Sequence, residues 1–254
     1  MSNKILFCIP ARLKSTRLPE KPLLKINGKS IIQHVYDRVQ EVRYEKEIVI
    51  LTDDIKIKNE VDTFAPNTCH IITDECLNGT DRIIKYLQQN TNTSQIIVNV
   101  QGDEPFIDPS NIEHTIKNYF LQKTLNQDLV CSTIYFKTFN NIDIMCKSRV
   151  KLVLDNQNNI MYGSRNVIPT TKGHTLNDLL PYKIHIGLFV FDKDYLVNQY
   201  FLEDTPNQLC EDIEWLKILE QGKKINAYEV KTHEIGVDTY EDYLYLKDKY
   251  EAKL

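Results

Sequence analysis

Four cations follow the first apolar run of this chain. Arg12, Lys14, Arg17 and Lys21 lie in Pro10-Ala-Arg-Leu-Lys-Ser-Thr-Arg-Leu-Pro-Glu-Lys-Pro22, directly after the strand-like residues 4–9. Guanidinium forks and ammonium groups pair with phosphate oxygens. In open α/β sheets, ligands bind outside the carboxyl ends of the strands. A cationic loop in that position suits a polyphosphate. Downstream, Gln101-Gly-Asp-Glu-Pro105 follows a second apolar strand at 96–100, and Gly236-Val-Asp-Thr239 lies near the end of the chain. Mg²⁺ is normally held by one or two carboxylates plus substrate phosphates, so Asp103 and Asp238 are candidate ligands for it. Cations for phosphates with separated aspartates for a divalent metal is the layout of a nucleotidyl-transfer site.

Each feature also has a plainer explanation. Loop cations are often only a solvated surface. Here they follow a strand at once, stand apart from one another and lie between stiffening prolines. Asp238 before Thr239 could simply cap a helix. His185, at the start of an apolar strand, could be structural, and Trp215, the only tryptophan, could be core. Glu211 and Glu214 could be a solvated face. Neither a Walker loop nor a G-x-G-x-x-G fingerprint is present.

These residues must be positioned by alternating elements. Residues 5–9, 48–52, 71–73 and 96–100 read as strands, the last with the Val/Ile density of a buried parallel sheet. Apolar positions 31, 32, 35 and 39 fall at helical spacing, and 55–64, 78–87 and 109–122 also read as helices. Such alternation predicts an α/β fold with a doubly wound, mostly parallel sheet. The second half is less regular, with strands at 129–136, 150–154, 186–191 and 225–230 and a polar excursion at 172–181. A helix is expected over 211–221, closed by Gly222, with Glu211 and Trp215 on one face. Thr239 and Asp242 form a capping box for a last helix to Lys253. One domain over 1–254 is the simplest organisation, with parts at 1–125, 126–235 and 236–254.

Composition narrows the partners. With 254 residues, 42% hydrophobic and 26% charged, the chain is long enough for one large α/β domain. A net charge of -4 supplies no excess of cations to coat a nucleic acid. No apolar run approaches a membrane span. The start of the chain lacks a signal h-region, and six cysteines have no paired spacing. Reduced thiols in a cytoplasmic protein are expected.

Taken together, the motifs resemble the CMP-Kdo synthetase family of cytidylyltransferases, over nearly the whole chain. Beside the stretches quoted above, the resemblance rests on Thr52-Asp-Asp54, Gly79-Thr-Asp-Arg82, Val150-Lys-Leu-Val-Leu-Asp155, Tyr162-Gly-Ser-Arg165 with Ile168-Pro169, and His185-Ile-Gly187. It implies a Rossmann-like nucleotidyltransferase fold, use of CTP and Mg²⁺, release of pyrophosphate, and a homodimer joined through the less regular part. It implies that Arg12, Ser15, Arg17 and Lys21 hold phosphates, that Ala11, Gly79, Thr80, Arg82 and Gln101 surround the cytidine, and that Asp103 and Asp238 hold the metal. Arg12, Lys21 and Asp103 would carry catalysis. The product would serve a cell-surface glycan, capsule or lipopolysaccharide.

The acceptor end departs from the family pattern. The helix that usually reads Leu-Glu-x-x-Glu-x-Leu-Glu-Gln-Leu-Arg is here Asn207-Gln-Leu-Cys-Glu-Asp-Ile-Glu-Trp-Leu-Lys217. Phe189 stands where the family usually has tyrosine. Groups that bind hydroxyls discriminate strongly, so their loss predicts a changed acceptor. The expectation is a small anionic acceptor, a phosphorylated molecule such as L-glutamine phosphate or a phosphonate, held by Arg165, Lys183, His185, Glu211 and Trp215. Kdo or its 8-amino analogue is the alternative acceptor, and a CTP-binding regulator without catalysis is the alternative outside enzymes.

Overall fold

The apolar runs become strands because both their faces are covered. In a computed structural model describing residues 4–15, 17–73, 75–200 and 203–251, Leu6, Phe7, Cys8 and Ile9 of β1 (Ile5–Ala11) are wholly buried. The chain folds as two compact units, one of residues 1–113 with 233–254 and one of residues 114–232. The border falls at 113/114 rather than 125, and the C-terminal segment belongs to the first unit.

In the first unit, β1 leads through the cationic loop to a 3-10 turn, Lys21–Leu23, and a hairpin of β2 (Lys25–Ile26) and β3 (Lys29–Ser30). Asn27 and Gly28 make its turn at φ of 51° and 76°, the primed geometry that Asn-Gly favours. Next come α1 (Ile31–Gln40), β4 (Lys46–Thr52), α2 (Ile55–Asp62), β5 (Cys69–Ile71), α3 (Gly79–Gln89) and β6 (Ile96–Val100). The strands run parallel in the order β6-β1-β4-β5. Side-chain caps start two of the helices: Asp54 accepts from Lys56 N and Asn78 from Asp81 N. The expected α/β class with a mostly parallel sheet is therefore present.

The helix α4 (Pro109–Leu125) carries the chain into the second unit. There follow β7 (Leu129–Thr138), α5 (Asn141–Met145), β8 (Lys151–Leu154), β9 (Ile160–Ser164), β10 (Tyr182–Asp192), α6 (Lys193–Asn198), α7 (Pro206–Glu211), α8 (Leu216–Glu220) and β11 (Lys224–Glu229). β7 lies between β11, parallel, and β10, antiparallel, and β8 joins β10 to β9 in antiparallel pairs.

The expected helix over 211–221 is two short helices. Asp212 adopts a left-handed φ of 53° and ends α7, so Glu211 and Trp215 do not share a helical face. The last helix, α9 (Tyr240–Glu251), returns to the first unit. Its capping box is as expected: Thr239 N donates to Asp242 Oδ2 at 2.9 Å and Asp242 N to Thr239 Oγ1 at 3.2 Å. The expected end at Lys253 lies outside the described residues.

Candidate active site

Parallel strands put their carboxyl ends on one edge, and the candidate residues gather there. β1 ends at Ala11, β4 at Thr52 and β6 at Val100. Gly79, opening α3, lies so close to β1 that a Cβ would come within 3.0 Å of Pro10. A Cβ on Gly102 would press on the Pro10 carbonyl and lie 3.4 Å from Ala11. The strand ends and the start of α3 thus bring Ala11, Gly79 and Gln101 into one neighbourhood. Arg12 and Lys14 stand exposed on the loop, with no ion pair among the described residues. Ser15 accepts a hydrogen bond from Leu18 N at 3.4 Å and tightens the loop.

Lys21 links the two candidate metal ligands. Its Nζ lies 2.7 Å from Asp103 Oδ2 and 3.6 Å from Asp238 Oδ1, while Arg17 reaches Asp238 at 3.4 Å. Burial works against the Lys21 charge, but the carboxylates of Asp103 and Asp238 outweigh it and raise its pKa. Burial and the neighbouring Asp103 charge raise the pKa of Asp238. The Asp238 carboxylate therefore needs cationic company to stay charged. Among the described residues no cluster of three or more His, Cys, Asp and Glu could form an all-protein cage. Two hard oxygen donors fit Mg²⁺ shared with substrate phosphates. Residues far apart in sequence meet because Val237 N donates to the Asp103 carbonyl at 2.8 Å, and because Gly236 has no Cβ to meet Glu104 Oε1 at 3.0 Å. Around them, Leu18, Ile26, Ile31, Val237, Tyr243 and Leu246 form a buried cluster, and Tyr243 OH donates to Lys25 O at 3.0 Å. The C-terminal helix thereby holds the loop that carries Lys21.

One residue of this edge escapes assignment from sequence. Asp53 accepts from Leu13 N at 3.1 Å and pairs with Arg82 at 3.5 Å. Arg82 is buried and also donates to the Ile72 carbonyl at 3.3 Å. Asp53 thus ties the cationic loop to the start of α3, where Thr80 is also buried. The signal was visible as Thr52-Asp-Asp54 at a strand end, but only the fold shows what Asp53 holds.

In the second unit the expected acceptor residues divide. The Arg165 guanidinium is committed to the protein: Nε donates to Glu211 O, Nη1 to Lys147 O and Ser148 O, and Nη2 to Asp212 O and Oδ2. It holds the left-handed turn at Asp212. The Glu211 carboxylate accepts from Ser164 Oγ at 2.8 Å and from Arg165 N at 3.1 Å. Trp215 is 3% exposed and covers Gly163 so closely that a Cβ there would lie within its ring. Its ring centre is 5.7 Å from that of His185, which lies 5.1 Å from Phe189, itself 1% exposed. Trp215, expected in the acceptor pocket, is thus buried here and flanks His185 together with Phe189. Lys183 and His185 alternate onto one face of β10. Lys183 is half-buried opposite Lys137, and burial followed by that like charge lowers its pKa. Burial pushes the His185 imidazole down to about 3, so it is neutral. Lys151, missed in the sequence, is buried with its ammonium on the carbonyls of Cys146, Arg149 and Arg165. It anchors the turns around Arg165.

Loop cations set against paired carboxylates at the carboxyl edge of a parallel α/β sheet define a nucleotidyltransferase. Comparison with known proteins agrees. The family model described as cytidylyltransferase matches residues 6–229. The 3-deoxy-manno-octulosonate cytidylyltransferase of Protochlamydia amoebophila is 36% identical over 95% of this chain and 92% of its own length. The mitochondrial enzyme of that name from Arabidopsis thaliana is 36% identical over 94% of this chain and 81% of its own length. A CMP:2-keto-3-deoxy-manno-octonic acid synthetase solved in complex with CTP is 29% identical, with a TM-score of 0.85 over 99% of this chain and 100% of that one. The chain belongs to the CMP-Kdo synthetase family and is a CTP-dependent cytidylyltransferase. No helix among the described residues is long and apolar enough to cross a membrane.

Proposed function

We propose that this enzyme transfers CMP from CTP to Kdo, with release of pyrophosphate. The observation that carries the choice of acceptor is the burial of Trp215 over Gly163 and His185. The substitutions that argued for a phosphorylated acceptor sit where they pack against the protein, so their lost hydroxyl and amide groups say nothing about the acceptor. The relatives named for Kdo, which match along the whole chain, favour the same acceptor over L-glutamine phosphate.

Arg12, Ser15, Arg17 and Lys21 would take the triphosphate, and Ala11, Gly79, Thr80, Arg82 and Gln101 the cytidine. Lys183 and His185 remain as candidates for the acceptor. The acceptor oxygen forms a bond to the α-phosphorus, the bond from that phosphorus to the α–β bridging oxygen breaks, and the hydroxyl proton is released. Arg12 and Lys21 would offset the charge that builds on the leaving pyrophosphate. Asp103 and Asp238 would hold Mg²⁺, which when bound supplies further charge neutralisation at the phosphates. We place the enzyme in the cytoplasm, supported by six cysteines that form no disulfide with one another. We assign it a homodimer through the second unit, where Phe139, Ile142, Met145, Leu179 and Leu180 are all exposed.

The test is pyrophosphate release with CTP and Mg²⁺, offering Kdo, 8-amino-Kdo, L-glutamine phosphate and a simple phosphonate separately. Release with Kdo is the expected result. Release with a phosphorylated acceptor alone would return the acceptor to that class, and release with none, alongside CTP binding, would make the chain a regulator.

A further inference from the structure

The two ring nitrogens of His185 have different surroundings. Nε2 lies 2.9 Å from the Thr133 hydroxyl oxygen, and that oxygen lies 2.6 Å from the Leu188 carbonyl oxygen. A carbonyl can only accept, and a threonine hydroxyl has one proton to give. Thr133 therefore donates to Leu188 and must accept from His185. The imidazole proton is on Nε2, and Nδ1 of the neutral ring is left with its lone pair. The sheet builds this arrangement: Thr133 is the Cα partner of Phe189, and the register of β10 on β7 slips between Ile186 and Phe189, where Leu188 lies. Phe189 and Trp215 flank the ring. Among the described residues Nδ1 has no hydrogen-bond partner, and His185 keeps part of its surface open.

We propose that Thr133 is a positioning residue that fixes the tautomer of His185, so that Nδ1 accepts a hydrogen bond from a hydroxyl of the acceptor. The proposal rests on the sugar-acid reading given above. A hydroxyl can donate to a lone pair, whereas the oxygens of a phosphate dianion can only accept. The opposite tautomer would present an N–H and invite the phosphate. Holding one tautomer is thus a means of rejecting phosphorylated acceptors at this point, since an unmatched polar group costs selectivity heavily.

Long-range ¹⁵N–¹H correlation spectra of the imidazoles test the tautomer directly, assigned with a His185→Gln sample. Wild type and Thr133→Ser should show His185 with a protonated Nε2 and a pyridine-type Nδ1. Thr133→Val, of similar volume but without the hydroxyl, should show mixed or reversed tautomers. In the same variants, Thr133→Val should raise KM for Kdo roughly tenfold, the effect of one well-placed hydrogen bond. KM for CTP should stay unchanged, and Thr133→Ser should restore the wild-type value. A proton on Nδ1 in the wild type overturns the proposal. So does a folded Thr133→Val enzyme with unaltered KM for Kdo. If Thr133→Val does not fold, Thr133→Ala makes the same comparison. If the wild type turns over a phosphorylated acceptor and not Kdo, the acceptor reading and the rejection of phosphates at Nδ1 both fail. The spectra and the KM comparison, made with whichever acceptor is turned over, still decide the role of Thr133.

Discussion

Val237 and Asp103 share a backbone hydrogen bond, the N–H of Val237 donating to the Asp103 carbonyl at 2.8 Å. It sets Asp238 beside Asp103, with Lys21 in reach of both. The pair should act as a unit. Asp103→Asn and Asp238→Asn should each lower kcat by about 10²–10³, the scale for removing one preorganised charge contact. CTP affinity by calorimetry should change much less. Equal losses of binding and turnover would show that the carboxylates serve binding alone.

Gly236→Ala should weaken the site without touching its chemistry. The new Cβ would come within 3.0 Å of Glu104 Oε1 and 3.3 Å of the Asp103 carbonyl. We expect a stability loss of about 1–2 kcal/mol in urea unfolding and a raised Mg²⁺ requirement for turnover. An unchanged Mg²⁺ titration would mean that the segment yields freely.

Asp53 should matter to CTP although it need not touch it. Asp53→Ala removes the acceptor for Leu13 N and the partner of Arg82. It should raise KM for CTP about fivefold to tenfold through loop disorder, a loss of one charge-assisted hydrogen bond. Asp53→Asn keeps the backbone bond and should fall in between. Steady-state kinetics with varied CTP separates the two.

Gly163 and Trp215 form a matched pair. Gly163→Ala drives a methyl into the indole and should cost about 3 kcal/mol or more. Trp215→Ala should cost about 3–5 kcal/mol while changing KM for Kdo little. Together the two changes should cost less than their sum. A large KM effect in a well-folded Trp215 variant would put the indole back in the acceptor site.

His185 should make the protein acid-sensitive. Burial lowers its pKa to about 3, against an ordinary value near 6.5. Between those values the unfolded chain binds a proton that the folded one does not, so stability falls as pH falls through that window. Between pH 7 and pH 5 the contribution should reach about 2 kcal/mol. Urea unfolding at the two pH values should show wild type losing that much more stability than His185→Gln. His34 and His70, also lowered by burial, add to the slope in both proteins and cancel in the comparison.

The first unit was legible in sequence because its signals are local. Continuous apolar runs, an Asn-Gly turn and the capping box at Thr239 state their own conformations. The helix break at Asp212 was not legible, since Glu211-Asp-Ile-Glu214 contains no glycine or proline. The left-handed turn there is held by Arg165, remote in sequence. The same holds for acceptor residues. The sequence marks Arg165 and Glu211 only as acceptor candidates, and the hydrogen bonds that join Glu211 to Ser164 and to Arg165 appear only in the fold. Trp215 looked like a lost glutamine, and the glycine that makes room for it carries no sign of its partner.

The first unit is built from both ends of the sequence, residues 4–113 and 233–251. During synthesis, the segments that carry Lys21 and Asp103 emerge well before Asp238 exists. The ribosome must complete the whole second unit before the carboxylate pair can close. A nascent chain stalled between residues 104 and 237 thus holds Lys21 and Asp103 but lacks Asp238 and the helix that packs on Leu18 and Ile26. The buried cluster around Leu18 and Ile26 is likewise completed late in synthesis, once Tyr243 and Leu246 of α9 are made.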